Sequence, residues 1–312
     1  MRRVALVTIV VGMLAAACGG GNGGGQGADG RLGVVASFYP LAEAAQRVGG
    51  DRVQVTNLTP AGAEPHDLEL TTRDIDRVES AALVVYLGAG FQPAIERAVE
   101  RARGRAIDVL DDLDLLDGHE DHDDGHDDDH DDGHGHEEGD PHVWLDPTIM
   151  KRIAAQVAEA LAEADPDGRA TYLANAEAYG RELDALDAEM RQGLAQCARR
   201  VIVTSHDAFG YLAQRYNLVQ EPISGLSPEA EPDPRRMAQL VDMVRSTGTT
   251  TIFYETLVSP RVAEALAREA GVRVAVLNPL EGLTDEEARA GKTYAAIMRE
   301  NLGTLRPALG CT

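Results

Sequence analysis

Residues 165–195, DPDGRATYLANAEAYGRELDALDAEMRQGLA, decide how this chain is organised. After Pro166 the stretch has no proline and is dominated by Ala, Leu, Glu and Arg, the residues that lose least on entering a helix. Asp165 stands where an N-cap carboxylate accepts free backbone N–H groups. Pro166 stands at the first helical position, where its missing N–H leaves nothing unpaired. About 30 residues at 1.5 Å rise predict a helix of ~45 Å, long enough to run along two domains. Asp146 and Pro147 repeat the same start signal ahead of a second helix-forming run, IMKRIAAQVAEALAEA. A helical connector over residues 147–197 of a 312-residue chain therefore predicts one α/β unit on each side of it.

On the N-terminal side, over residues 31–146, short β-branched runs alternate with amphipathic stretches. Strands are predicted at 34–37, 53–58, 83–87 and 106–110, and helices at 41–48, 72–81 and 93–103. The alternation returns over residues 198–312, with strands at 201–204, 219–223, 251–254 and 272–277 and helices at 208–216, 234–246, 260–270 and 293–302. Alternating strands and helices build parallel sheets covered by helices. The fold class is therefore α/β, two lobes with four-stranded parallel sheets joined by a spine helix. Ligands of open α/β sheets bind beyond the carboxyl ends of the strands, so the cleft between the lobes is the expected site.

Composition narrows what such a cleft would take. The chain has 52 acidic and 29 basic side chains and a formal net charge of -23. That excess repels nucleic acid and anionic lipid over a Debye length, ~8 Å in physiological salt, and attracts cations. The charge is uneven: residues 111–140 hold 16 of the acids and no Lys or Arg, leaving 36 acids against 29 bases elsewhere. The same insert holds six of the nine histidines: His119, His122, His126, His130, His134 and His136. Its central run, GHEDHDDGHDDDHDDGHGHEEGD, offers no apolar residue to a core, so the insert is expected to be disordered. Imidazoles among carboxylates chelate Zn²⁺ weakly in such a loop, because ordering it costs about 1–2 kcal/mol per fixed residue. Protonation of the imidazoles should weaken that binding below about pH 6. An auxiliary metal-gathering loop is the expected role, and a merely solubilising segment is the alternative.

The N-terminus carries an address. Arg2 and Arg3 precede an apolar run, residues 4–17, too short to span a bilayer comfortably but suited to the core of a secretory signal. Ala15, Ala16 and Ala17 lead into Cys18, an arrangement that resembles a bacterial lipoprotein signal, in which residues 1–17 are removed and Cys18 is lipidated. Leu14 departs from that pattern, lying one position further from the cysteine than is usual; a plain secretory signal is the alternative. Residues 18–30 are glycine-rich and form a flexible tether. The body is thus expected outside the cytoplasm, held to the cell membrane through lipid alone. In an oxidising envelope Cys197 and Cys311 can pair and pin the C-terminal segment; a free, buried Cys197 is the alternative.

Three histidines remain. His66 lies in the loop TPAGAEPHDLEL after the second predicted strand, His142 closes the acidic insert in DPHVWLDP, and His206 directly follows the strand in RVIVTSH. The matching loop after the last strand, VLNPLEGLT, presents Glu281. Each lobe thus offers two candidate ligands on the same edge of its sheet. Three imidazoles and one carboxylate suit Zn²⁺, which takes four N, S or O donors tetrahedrally; more carboxylates would tilt the site toward Mn²⁺. Glu64 and Asp67 beside His66, and Asp207 beside His206, are candidates to accept a second ring N–H and fix its tautomer.

The phrases PAGAEPHDLELT, DPHVWLDP, VTSHDAFGYLAQRYNL, GLSPEAEP and LNPLEGLT, in this order and at these separations, resemble the ZnuA-like, or cluster 9, solute-binding lipoproteins of bacterial zinc-uptake ABC transporters. The resemblance covers nearly everything from Val34 to Leu302. It implies a pair of (β/α)4 lobes, a metal between them and limited hinge motion. It places the family's first-lobe histidines on His66 and His142, its second-lobe histidine on His206 and its acidic ligand on Glu281. Manganese-binding relatives carry a carboxylate where His206 stands; others carry Asp in the last motif or leave that position to water.

The resulting expectation is a monomeric, non-catalytic protein. It captures Zn²⁺ as transported ligand and delivers it to a membrane permease with a cytoplasmic ATPase, with no nucleic-acid partner. Two alternatives are a metal-stabilised surface adhesin and a secreted zinc hydrolase. The hydrolase would need an open metal position and lacks an H-E-x-x-H motif here.

Overall fold

A computed structural model describes residues 30–117, 139–228 and 232–312. The signal segment, Cys18, most of the tether and the six insert histidines lie outside the described residues. The first lobe runs β1 (Leu32–Ala36), α1 (Tyr39–Gly49), β2 (Val53–Asn57), α2 (Thr72–Ser80), β3 (Leu83–Tyr86), α3 (Pro93–Val99) and β4 (Arg105–Asp108). Two helices follow, α4 (Pro147–Ala164) and α5 (Arg169–Leu194). The second lobe runs β5 (Val201–Thr204), α6 (Gly210–Arg215), β6 (Val219–Pro222), α7 (Pro234–Thr247), β7 (Thr251–Tyr254), α8 (Arg261–Ala270), β8 (Arg273–Val276), α9 (Asp285–Ala290) and α10 (Tyr294–Leu309).

Both sheets are parallel and share one strand order, β2-β1-β3-β4 and β6-β5-β7-β8. The two-residue period of a strand sorts its side chains between two cores. Val34 and Ala36 of β1, with Leu83 and Val85 of β3, face a central core; Val35 and Val84 face an outer one with Val78 and Ile95 from α2 and α3. In the second lobe Ile202 faces the central core, and Val203 faces an outer one with Leu240 and Leu266 from α7 and α8. The central core is continuous across the molecule, joining Phe38, Trp144, Leu183, Met190, Leu277 and Tyr294. The spine α5 packs on α4, α1 and α10, so it touches both lobes. Among the described residues no helix is long and apolar enough to cross a membrane.

Three expectations need correction. Asp146 caps α4 as expected, its Oδ1 accepting the Thr148 N–H at 2.7 Å. Asp165, however, does not cap the spine: residues 166–168 form a separate 3-10 turn, and α5 begins at Arg169 behind Gly168. The Asp165 carboxylate instead binds Arg52 and the Tyr172 hydroxyl, 2.6 Å from each. The spine is thus 26 residues rather than about 30. The ordered flanks of the insert are wider than expected, since Leu113, Leu115 and Leu116 pack on the central core and the Asp140 N–H reaches the Leu116 carbonyl at 2.7 Å. Finally α9, a short helix with a Thr284–Glu287 capping box, was not expected. Cys197 and Cys311 form a disulfide that ties the chain end to the exit of the spine.

Candidate metal centre

Four loops at the carboxyl ends of the strands bring His66, His142, His206 and Glu281 together, with ligand-capable atoms all within 4.8 Å of one another. His206 lies two residues beyond β5, and Glu255, just past the neighbouring strand β7, holds it twice: Oε1 is 3.3 Å from the His206 N–H and 2.8 Å from Nδ1. His142 is held in the same manner by Asp140, whose Oδ1 is 2.9 Å from the backbone N–H and 2.7 Å from Nδ1. Tyr211 secures that segment, donating to the Asp140 carbonyl and accepting the Leu116 N–H, both at 2.9 Å. Gly210 permits the approach, for a Cβ there would lie 2.7 Å from Asp140 Oδ2. His66 sits on an irregular loop turned by Glu64, whose Oε2 accepts the His66 N–H at 2.9 Å and the Asp67 N–H at 3.3 Å. Its ring rests edge-on against Phe91, centroids 4.6 Å apart.

The three Nε2 atoms converge on one oxygen. Glu281 Oε1 is 3.0 Å from His206, 3.3 Å from His142 and 3.6 Å from His66. His142, His206 and Glu281 are buried, while the His66 side chain is 12 % exposed. Both Nδ1 atoms facing carboxylates carry protons, which leaves each Nε2 as the lone-pair face. Lone pairs turned toward a carboxylate in a buried site repel unless a cation or protons intervene. Burial alone would depress His142, but Asp140 and Glu281 outweigh it and carry it to about 9. His206 is likewise raised well above its ordinary value by Glu255 and Glu281 against its burial. Burial opposes ionisation of Glu281 too, yet the three histidines hold it well below the usual carboxylate range. His66 goes the other way, lowered chiefly by burial. The arrangement is a compact N3O donor set with its negative charge buried, suited to a divalent cation of Zn²⁺ type.

The chain matches the ZnuA family, described as zinc-uptake complex component A, periplasmic, over residues 34–308. It belongs to that family. It is 38% identical over 282 residues to the zinc-binding lipoprotein AdcA of Streptococcus pneumoniae, covering 89% of this chain and 56% of that protein. The chain therefore spans little more than half the length of that relative. It is 35% identical to the high-affinity zinc uptake system protein ZnuA of Bacillus subtilis, covering 95% of this chain and 94% of that one. Among solved structures, the Zn(II)-bound ZnuA-like domain of Streptococcus pneumoniae AdcA superimposes with a TM-score of 0.75 at 34% identity, covering 90% of this chain and 99% of that domain.

The three carboxylates expected to orient the rings do not do so. Glu64 turns the His66 loop through backbone N–H groups, and burial with the nearby Glu281 charge pushes its own carboxyl up to about 8. Asp67 is exposed. Asp207 is buried beside His206, whose ring nitrogens are engaged by Glu255 and Glu281 instead. Asp140 was legible in DPHVWLDP, two residues before its histidine. Glu255 is 49 residues from His206 and had no local signal; only the adjacency of β5 and β7 brings it there.

Proposed function

We propose that this chain captures Zn²⁺ outside the cytoplasm and delivers it to an ABC permease driven by a cytoplasmic ATPase, with His66, His142, His206 and Glu281 as the ligands. The observation that carries this reading is the convergence of three Nε2 atoms on Glu281 Oε1, within 3.6 Å, between two lobes. Three imidazoles with one carboxylate favour zinc over manganese. Four protein donors leave no open position for a catalytic water, which disfavours a hydrolase. The printed names of relatives, a zinc-binding lipoprotein and a zinc uptake system protein, support the same role. On this reading the protein acts as a monomer, anchored through Cys18, and its histidine-rich insert gathers metal near His142.

Titrating the purified protein with zinc and manganese against a chelator, and repeating this on His206→Ala, tests the assignment. Tight zinc binding that collapses in the variant is expected; manganese preference, or unchanged zinc affinity, would sink it. Deleting residues 117–139 should remove weak sites and leave one tight site.

A further inference from the structure

The turn that carries Glu281 contains a strained residue. Leu280 is fully buried and has φ 58°, a left-handed conformation that a branched side chain keeps only where its surroundings over-determine it. From within the second lobe, Asn278 Oδ1 accepts the Leu280 N–H at 2.8 Å. Asn301 holds Asn278 in turn, accepting its N–H at 2.9 Å and donating to its carbonyl at 2.7 Å. From the first-lobe side Trp144 reaches the same turn: its Nε1 donates to the Pro279 carbonyl at 2.7 Å.

Trp144 follows His142 by two residues, and both are fully buried. Its ring lies 5.2 Å from that of His142 and 5.2 Å from that of Phe91, the ring against which His66 rests. Its carbonyl accepts the hydroxyl of Tyr294, from α10, at 2.7 Å. One indole thus packs against the His142 ring and against Phe91, the support of His66, and hydrogen-bonds the turn that presents the second-lobe carboxylate.

We propose that Trp144 is a positioning residue for the metal: its N–H on Pro279 sets the separation between His142 and Glu281, and thereby how long the ion is held. The proposal rests on the four-ligand reading above. Without the indole N–H the Pro279 carbonyl is buried with its donor gone, and such a group is driven to move until it finds another. The turn then relaxes about Leu280, and Glu281 Oε1 leaves its place 3.3 Å from His142 Nε2. A purely space-filling tryptophan would have no such directional effect.

Trp144 is the only tryptophan of the chain, so biosynthetic replacement of tryptophan by benzothienylalanine changes this position alone. The replacement keeps the ring shape and exchanges the N–H for sulfur. Zinc affinity by chelator competition and zinc release by chelator chase are measured in the parent and in Glu281→Gln. The expected result is zinc binding about 10- to 100-fold weaker in the parent, mostly as faster release. In Glu281→Gln, where the turn no longer presents a carboxylate, the change should fall to about twofold or less. Trp144→Phe, checked for folding by circular dichroism, should shift release in the same direction. Unchanged binding in the substituted parent, or the same loss in both backgrounds, overturns the proposal and leaves Trp144 a packing residue. His142→Ala separates the two levels, because tight zinc binding in that variant would refute the four-ligand reading itself.

Discussion

In the second lobe, His206 stands two residues past β5 with Glu255 on one ring nitrogen and Glu281 on the other. In the first lobe, His66 stands nine residues past β2 on an irregular loop, leaning on Phe91, with Nε2 buried and making no hydrogen bond. The lobes share one strand order, but His206 follows the interior strand β5, flanked on both sides, whereas His66 follows the edge strand β2. A ligand at a strand end inherits the rigidity of the sheet, and its neighbour in the adjacent strand fixes its ring. A ligand on a long loop has only local contacts to place it. The site therefore has one firmly set imidazole and one adaptable one, both facing the same carboxylate.

Removing the proposed ligands tests this asymmetry most strongly. A tight four-ligand zinc site holds several kcal/mol per ligand, so His206→Ala should weaken zinc binding roughly a thousandfold in chelator competition. His66→Ala should cost less, about a hundredfold on the same scale, because its placement is looser before the metal arrives. A larger loss in His66→Ala would invert the comparison.

A smaller effect is expected from the carboxylates behind the rings. Glu255→Gln and Asp140→Asn should each weaken zinc about 10- to 100-fold, since each loses the charge that fixes the Nδ1–H tautomer. If either variant bound zinc like the parent, tautomer control would not be what holds that ring.

Protons provide a finer test. His142, carried to about 9, and His206, raised well above its ordinary value, both hold protons near pH 7 in the metal-free protein. Zinc needs the Nε2 lone pairs, so loading should release about two protons, and affinity should fall as pH drops from 9 toward 6. His66, lowered by burial, is neutral at pH 7 and should contribute none. Calorimetry in buffers of differing ionisation enthalpy reads the count, which should be unchanged in His66→Ala and lower by about one in His206→Ala.

The smallest effect on binding is expected from the Cys197–Cys311 disulfide, which has a sequence separation of 114 and ties the chain end to the exit of the spine rather than to any of the four site loops. Its reduction should lower stability by about 2–4 kcal/mol in denaturant unfolding and leave zinc affinity within a factor of about two.

Much of this was readable from residues alone. The eight strands fall close to their predicted positions, because buried parallel strands are written as β-branched runs and the helices between them carry a 3.6-residue period. The four candidate ligands could be named because each follows a strand or precedes a capped helix. The Asp165 carboxylate misled, since an Asp-Pro pair marks a 3-10 turn as readily as a helix start, and Arg52 and Tyr172, which claim that carboxylate, are distant in the chain or a full turn into α5. The short α9 leaves little trace in the sequence, because six residues hold too little of a helical period to register.

The sequence by itself determined the two-lobe α/β architecture, the acidic insert and which loops carry the four candidate ligands, because these are set by local pattern and by order along the chain. Only the tertiary structure decided that Glu255 orients His206, that Tyr211 secures Asp140, and that Trp144 reaches Pro279. Those contacts join residues 49, 71 and 135 positions apart. They arise from which strands lie side by side and how the lobes meet, and no local pattern in a chain records its neighbours across a sheet or an interface.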